Sequence, residues 1–201
     1  MSKRKLENQI VSNIDSLNKI NNEYYNELNC DSIKIINNDN IIFRSSITRL
    51  TIDKLFECIY KIIESSSFNH NENRIYIHIT SKGGTLDGLY DFISIKNKHL
   101  TNIELVSIIE HSCTDAGFML ASLCDYRFIK KNIICYMSVI NNNNNFWNIY
   151  NQGENLLDKL LYIIYNIKLK VTKEKFLKYI NQNNIWNAKK MVKIGFVDEI
   201  I

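Results

Sequence analysis

The chain of 201 residues contains no proline. Average usage is about 5%, so roughly ten are missing. Alanine and valine are also scarce, at 3 and 6, whereas asparagine and isoleucine reach 29 and 34. Asn, Ile and Lys have A/T-rich codons, while Pro, Ala and Gly have G/C-rich ones. The balance is that expected of an A/T-rich genome, and an Asn at an unexpected place is weak evidence of design. No apolar run approaches the roughly 18–20 residues of a membrane span, so no membrane partner is expected. No excess of one charge is present: 25 basic and 21 acidic residues give a net +4, spread along the chain, which makes no case for nucleic acid. The five cysteines, Cys30, Cys58, Cys113, Cys124 and Cys135, are odd in number and form no Cys-x-x-Cys pair. That argues against a disulfide framework and a metal site, and for buried thiols in a reducing compartment. A cytoplasmic setting is expected, with an organelle as the alternative. Residues 1–20 mix lysines with Glu7 and Asp15 and lack the apolar core of a signal peptide. No cofactor pattern is present.

What is there is a chain of ordinary globular composition, 45% hydrophobic and 23% charged, long enough to bury a core without staples. Leu6, Ile10, Ile14 and Leu17 space out an amphipathic helix, so residues 1–30 read as a helical extension and 31–201 as the main domain. Ile33–Ile36 and Ile41–Phe43 predict short strands around a turn at Asn37–Asn40. A helix capped by Thr51 or Asp53 follows, with Leu55, Ile59, Ile62 and Ile63 inward. Arg74–Thr80 is a run of β-formers, Leu86–Asn97 a helix, Ile103–Ile109 a strand and Thr114–Leu123 a helix. Strands at Tyr126–Ile129 and Ile133–Met137 come next. Helix is expected to about Lys170 and from Thr172 to Ile180, then a helix stopped at Gly195 and a short terminal strand. Alternating strands and helices imply an α/β fold with a largely parallel sheet.

Two strand-to-helix junctions carry chemistry. At Ser81-Lys82-Gly83-Gly84 the glycines permit positive φ and bring bare N–H groups close to a ligand. No Gly-Lys-Ser/Thr follows, so this is no P-loop; a plain βα turn is the simpler alternative. At Glu110-His-Ser-Cys-Thr-Asp115-Ala-Gly117 a strand meets an apolar helix through small residues, where hydrolases place a nucleophile and an oxyanion-hole N–H. Ser112 and Cys113 are candidate nucleophiles, with His111 beside them; a helix start capped by Thr114 or Asp115 explains the same residues. His78 falls mid-strand, His70 and His99 in loops. Trp147 and Trp186 read as core or oligomer contacts.

Taken in order, these segments resemble the ClpP peptidase family of the ClpP/crotonase superfold, from about Ile41 to Ile201. Ile77–Asp91 is similar to the family's strand–Ser-Pro-Gly-Gly–helix, Val106–Leu120 to the strand and elbow of the nucleophile, and Ala188–Ile201 to its Ser-Ala-x-Glu-Ala-x-x-x-Gly-Leu-Ile-Asp-x-Ile ending. The resemblance implies repeated ββα units and a largely parallel sheet. It also implies a Ser-His-Asp triad in which Ser attacks, His takes the proton and Asp orients the His. Aligned on Gly117, the nucleophile position holds Asp115. Aligned on Arg127-Phe128, the histidine position holds Ser138, or Met137 after a shift of one. Five residues before Ala188, the aspartate position holds Asn183. All three triad positions are substituted, while Gly83, Gly84 and Ala116 keep the frame of the oxyanion hole.

The expectation is therefore a ClpP-like pseudopeptidase with a structural or regulatory role in proteolysis. The resemblance implies a ring, of this chain alone or mixed with active ClpP-like subunits, joined through a handle from residues 139–170. The family's partner is an AAA+ unfoldase; residues 1–29 do not resemble the segment that contacts it. Two alternatives remain. One is an active serine or cysteine peptidase with a displaced nucleophile, Ser112 or Cys113. The other is a crotonase-like acyl-CoA enzyme, since Leu120–Ile129 resembles the crotonase Glu-Leu-Ala-x-x-Cys-Asp-x-Arg-Ile segment.

Overall fold

The structure, a computed structural model, describes residues 32–69, 71–137, 169–180 and 184–201. Isoleucine alternation writes the sheet. In β3 (Arg74–Ser81), Ile75, Ile77 and Ile79 are fully buried, whereas Tyr76 and His78 between them are half-buried on the other face. The hairpin β1 (Ser32–Asn37) and β2 (Asn40–Arg44) precedes it, and β4 (Glu104–Cys113), β5 (Tyr126–Ile129) and β8 (Glu199–Ile200) complete one sheet. Its order is β1-β2-β3-β4-β5-β8. All neighbours from β2 to β8 are parallel, and only the edge strand β1 runs antiparallel. A second, two-stranded antiparallel sheet joins β6 (Ile134–Met137) to β7 (Asn184–Asn187). The mixed α/β architecture with a mostly parallel sheet is as expected. The extension at 1–30, Trp147, the 139–170 handle (save Leu169 and Lys170) and most of the long helical stretch before Lys170 lie outside the described residues.

Helices connect the parallel strands. In α1 (Arg49–Ile63), Ile52, Leu55, Phe56, Ile59 and Ile62 make one buried stripe, each worth about 1.5–3 kcal/mol in area removed from water. Its cap is Thr48, three residues earlier than Thr51. Thr51 is instead the third helical residue: its N–H donates to Thr48 Oγ1 at 3.1 Å and its own Oγ1 accepts from the Thr48 N–H at 2.9 Å. The α2 helix (Leu86–His99) ends on Lys96, Lys98 and His99, which complement its carboxyl-terminal dipole. The α3 helix (Asp115–Ser122) is buried from Ala116 onward. The α4 helix (Lys173–Ile180) and α5 (Ala188–Ile194) follow, α5 ending in Gly195 at φ +96°. Trp186 is core: only 1% exposed, it meets Phe196 at 4.9 Å and Phe118 at 6.2 Å between ring centres.

The last strand is locked by a buried ion pair. Arg127, 1% exposed, donates through Nε to Asp198 Oδ2 at 3.0 Å and through Nη2 to Oδ1 at 2.9 Å. Asp198 Oδ2 also accepts from the Arg127 backbone N–H. This ties β5 to the turn before β8 and fixes the carboxyl terminus in the sheet.

Candidate active site

The two glycine-bearing junctions come together at the carboxyl ends of β3 and β4. β4 runs to Cys113, four residues beyond Ile109, so His111, Ser112 and Cys113 belong to the strand. The register explains the difference: Ile79 pairs with Ile109 but Ser81 with Cys113, so β4 carries two extra residues. That irregularity holds polar residues where strand periodicity breaks down.

Beyond β4 the chain turns sharply. Thr114 is extended, at φ −124°, and Asp115, the first residue of α3, has φ +46°. Positive φ strains a non-glycine residue, and Asp tolerates it better than most. Thr114 occupies the cap position, yet its side chain makes no capping bond. Close backbone approach fixes the elbow. The Thr114 N–H donates to the Ser81 carbonyl at 3.0 Å. A Cβ on Gly117 would stand 2.4 Å from Ser81 Cβ, so only glycine lets α3 lie on the end of β3.

The facing loop is equally constrained. Gly83 has φ +99° and Gly84 φ +146°. Ile47 forms a parallel bridge with Gly84, its N–H donating to the Gly83 carbonyl at 2.7 Å. A Cβ on Gly84 would lie 2.1 Å from the Ile47 carbonyl oxygen. Built on Gly83, a Cβ would fall 3.2 Å from Asp115 Cβ and 3.5 Å from the Ala116 nitrogen. Gly83, Asp115 and the Ala116 amide thus lie side by side at the junction. The Gly83 N–H donates to Ser81 Oγ at 3.2 Å.

The β6–β7 ribbon lies beside the elbow. Thr114 makes a parallel bridge with Tyr136, and Met137 pairs with Asn184. The backbone of Met137 therefore lies one residue beyond the strand position beside the elbow, next to the start of β7. Ser138 and Asn183 lie outside the described residues.

The other candidates have environments that bear on their chemistry. Cys113 is fully buried, and burial first, then the nearby Cys135 thiol, pushes its pKa well above the ordinary thiol value. Burial likewise pushes Cys124 and Cys135 up to about 12. None is a thiolate at neutral pH, so none is an activated nucleophile. His111 is half-buried, and burial, with the Arg44 and Lys130 charges, lowers its pKa against the opposing effect of Glu110. His78, read from sequence as a lone mid-strand residue, belongs to a polar cluster instead. Its Nδ1 is 3.0 Å from Glu110 Oε1 and its Nε2 2.8 Å from Asn40 Oδ1. His99 is exposed at the end of α2, and His70 lies outside the described residues. No cluster of three or more His, Cys, Asp or Glu among the described residues could hold a metal ion. No described helix is long and apolar enough to cross a membrane.

With the geometry in view, comparison with known proteins gives the class of fold. The chain is similar to the ClpP protease catalytic domain of Plasmodium falciparum, with a TM-score of 0.64 and 18% identity over 80% of this chain and 83% of that one. No protein-family model matches the sequence, and no curated protein matches it. The chain has a ClpP-like fold of the ClpP/crotonase class.

Proposed function

We propose that the protein is a ClpP-like pseudopeptidase, a ring-forming subunit with a structural or regulatory role in proteolysis. In this reading residues 31–201 are the ClpP-like domain and 1–30 an extension. The observation that carries it is Asp115. A carboxylate stands at the positive-φ residue of the elbow, beside Gly83 and the Ala116 amide, where the resemblance puts the nucleophilic serine. The position matched to the histidine holds Ser138 or Met137, and no histidine follows His111 anywhere in the sequence. Asn183 stands for the aspartate. A serine triad needs a base to take the proton and a carboxylate to hold that base. Hydroxyl, thioether and amide side chains do neither at neutral pH. The oxyanion frame of Gly83, Gly84 and Ala116 then serves as a scaffold, or as a seat for the Asp115 carboxylate.

Two measurements test this reading. Mass photometry of the purified chain, alone and mixed with an active ClpP, reports assembly; a monomer under both conditions overturns the ring. Asp115→Ser alone is expected to give no peptide hydrolysis, because no base is supplied. Hydrolysis by that single variant would mean that a base is present and that the reading is wrong.

A further inference from the structure

The main sheet ends at β1, and that edge is open. β2 pairs with one side of β1; among the described residues nothing hydrogen-bonds the backbone groups on its other side. Edge strands are usually very short, bulged or covered, because an open row of N–H and C=O groups takes up another strand. Here the row is six residues long, Ser-Ile-Lys-Ile-Ile-Asn. Ile33 and Ile35 lie on the face that carries the core, opposite the fully buried Phe43 and Ile41. Ile35 nonetheless stays 36% exposed, because the sheet stops beside it. A register irregularity between Ile35 and Asn37 adds Ile36 to the strand, and it is 45% exposed. Ile35 and Ile36 border a cavity of about 300 Å³, whose other side is Lys61 and Ile62 of α1 with Ser65 and Ser67 beyond it. A strand added about 4.8 Å from β1 would bring an inward side chain alongside Ile35, where the cavity has room for one.

We propose that the open edge of β1 binds an extended segment of a partner protein by strand addition. The segment carries aliphatic residues beside Ile33 and Ile35 and an acidic one beside Lys34. Backbone pairing selects an extended chain, and alternation sets which side chains face the core. Lys34 lies on the opposite face, across from Ile42, and forms no ion pair among the described residues. The same lysine disfavours a second copy as the occupant. An antiparallel β1–β1 pair that keeps both core faces together sets Ile33 against Ile35 of the other copy. Lys34 then stands directly opposite its own counterpart, and like charges so placed destabilise a pair. A six-residue edge also falls far short of the roughly 20–30 residues a side that join two globular partners, whereas a flexible segment needs only the edge. Ile35 to Asn37 lie beside the start of β2, at the other end of the parallel strands from the elbow. The proposal is therefore independent of the elbow's chemistry.

The test is fluorescence anisotropy on the full chain with a fluorescein-labelled peptide, Ser-Thr-Val-Glu-Val-Thr-Ser. Two versions N-methylated on alternate amides, one for each set, are measured alongside. Saturable binding of the unmethylated peptide is expected. Only one set of amides faces β1, so one methylated version should bind about tenfold or more weakly and the other nearly as well as the parent. Ile35→Lys should weaken binding by about fivefold or more, since a lysine there guards the edge. Leu50→Lys, at an exposed position on α1, should leave it unchanged. Circular dichroism checks that the variants stay folded, and the methylated peptides test the pairing without any variant. No saturable binding, equal weakening by both methylated sets, or unchanged binding in Ile35→Lys overturns the proposal. A lower oligomeric mass of Ile35→Lys in sedimentation velocity would assign the edge to a second copy and also overturn it.

Discussion

Gly83 and Asp115 approach each other so closely that a single methyl group on the glycine would touch the aspartate, at 3.2 Å from its Cβ. One residue sits at φ +99° and the other at φ +46°, so both sides of the contact are left-handed backbone. Strain of this kind persists only where the surroundings over-determine it. Here those surroundings are the Ser81–Thr114 and Ile47–Gly83 hydrogen bonds.

The two glycines should differ sharply when replaced. Gly83→Ala meets contacts at 3.2 Å and an unfavourable φ, and is expected to cost about 1–2 kcal/mol. Gly84→Ala would drive its Cβ to 2.1 Å from a backbone oxygen that cannot swing aside, and is expected to cost about 3 kcal/mol or more. Urea denaturation of both variants ranks them; equal costs would contradict the geometry.

Asp115 is held in a conformation that disfavours bulk at Cβ. Asp115→Val should lose about 1–2 kcal/mol, since a β-branched residue is a true outlier at positive φ. Asp115→Gly should stay within about 1 kcal/mol of wild type, relief of strain offsetting the lost charge at the start of α3. Val matching Gly in thermal denaturation would mean that φ at 115 is not positive.

How much of this was legible in the sequence depended on how local the governing physics was. Ser81–Gly84, Gly117 and Gly195 announced their junctions because only glycine fits those contacts or φ values, and α5 and β8 followed. Alternation predicts a β4 four residues too short, because its extra residues put Glu110, His111 and Ser112 where alternation no longer applies. The sequence offers Thr51 or Asp53 as the cap of α1; Thr48 and Thr51 are chemically alike, and only the reciprocal bonds show that Thr48 is the one outside the helix. β7 carries no strand signal of its own: Asn-Ile-Trp-Asn is specified by its pairing with β6, from 47 residues away at Met137↔Asn184 to 53 at Ile134↔Asn187. The polar cluster around His78 is invisible in the sequence for the same reason, since Asn40, His78, Glu110 and Lys130 meet only through the sheet.

The buried ion pair should respond unequally to loss of its two partners. Arg127 is 1% exposed, whereas the Asp198 side chain is 30% exposed and can hydrate. Asp198→Ala strands a buried guanidinium and is expected to cost about 3–5 kcal/mol, while Arg127→Met should cost clearly less. Guanidinium denaturation decides the order, and the reverse order would count against the pair as described.

Glu110 gives the sheet a dependence on acid. Burial, the largest influence on it, pushes its pKa up, but the hydrogen bonds from Lys130 and His78, with their charges, outweigh it and hold the carboxyl below its ordinary 4.5. A carboxyl lowered on folding stabilises the fold above its unfolded value and loses that contribution as pH falls through the folded one. Stability should therefore decline more steeply in wild type than in Glu110→Gln as pH drops below the ordinary glutamate value. Identical slopes in parallel denaturation series would remove Glu110 from the account.

Fluorogenic-peptide hydrolysis by the purified wild-type chain, in whatever assembly it adopts, tests the loss of chemistry most directly. The account predicts no turnover above that of buffer, unchanged when Asp115, Ser112, Cys113 or Ser138 is replaced by alanine. Turnover by the wild type that disappears in any one of those variants would contradict it and identify the nucleophile.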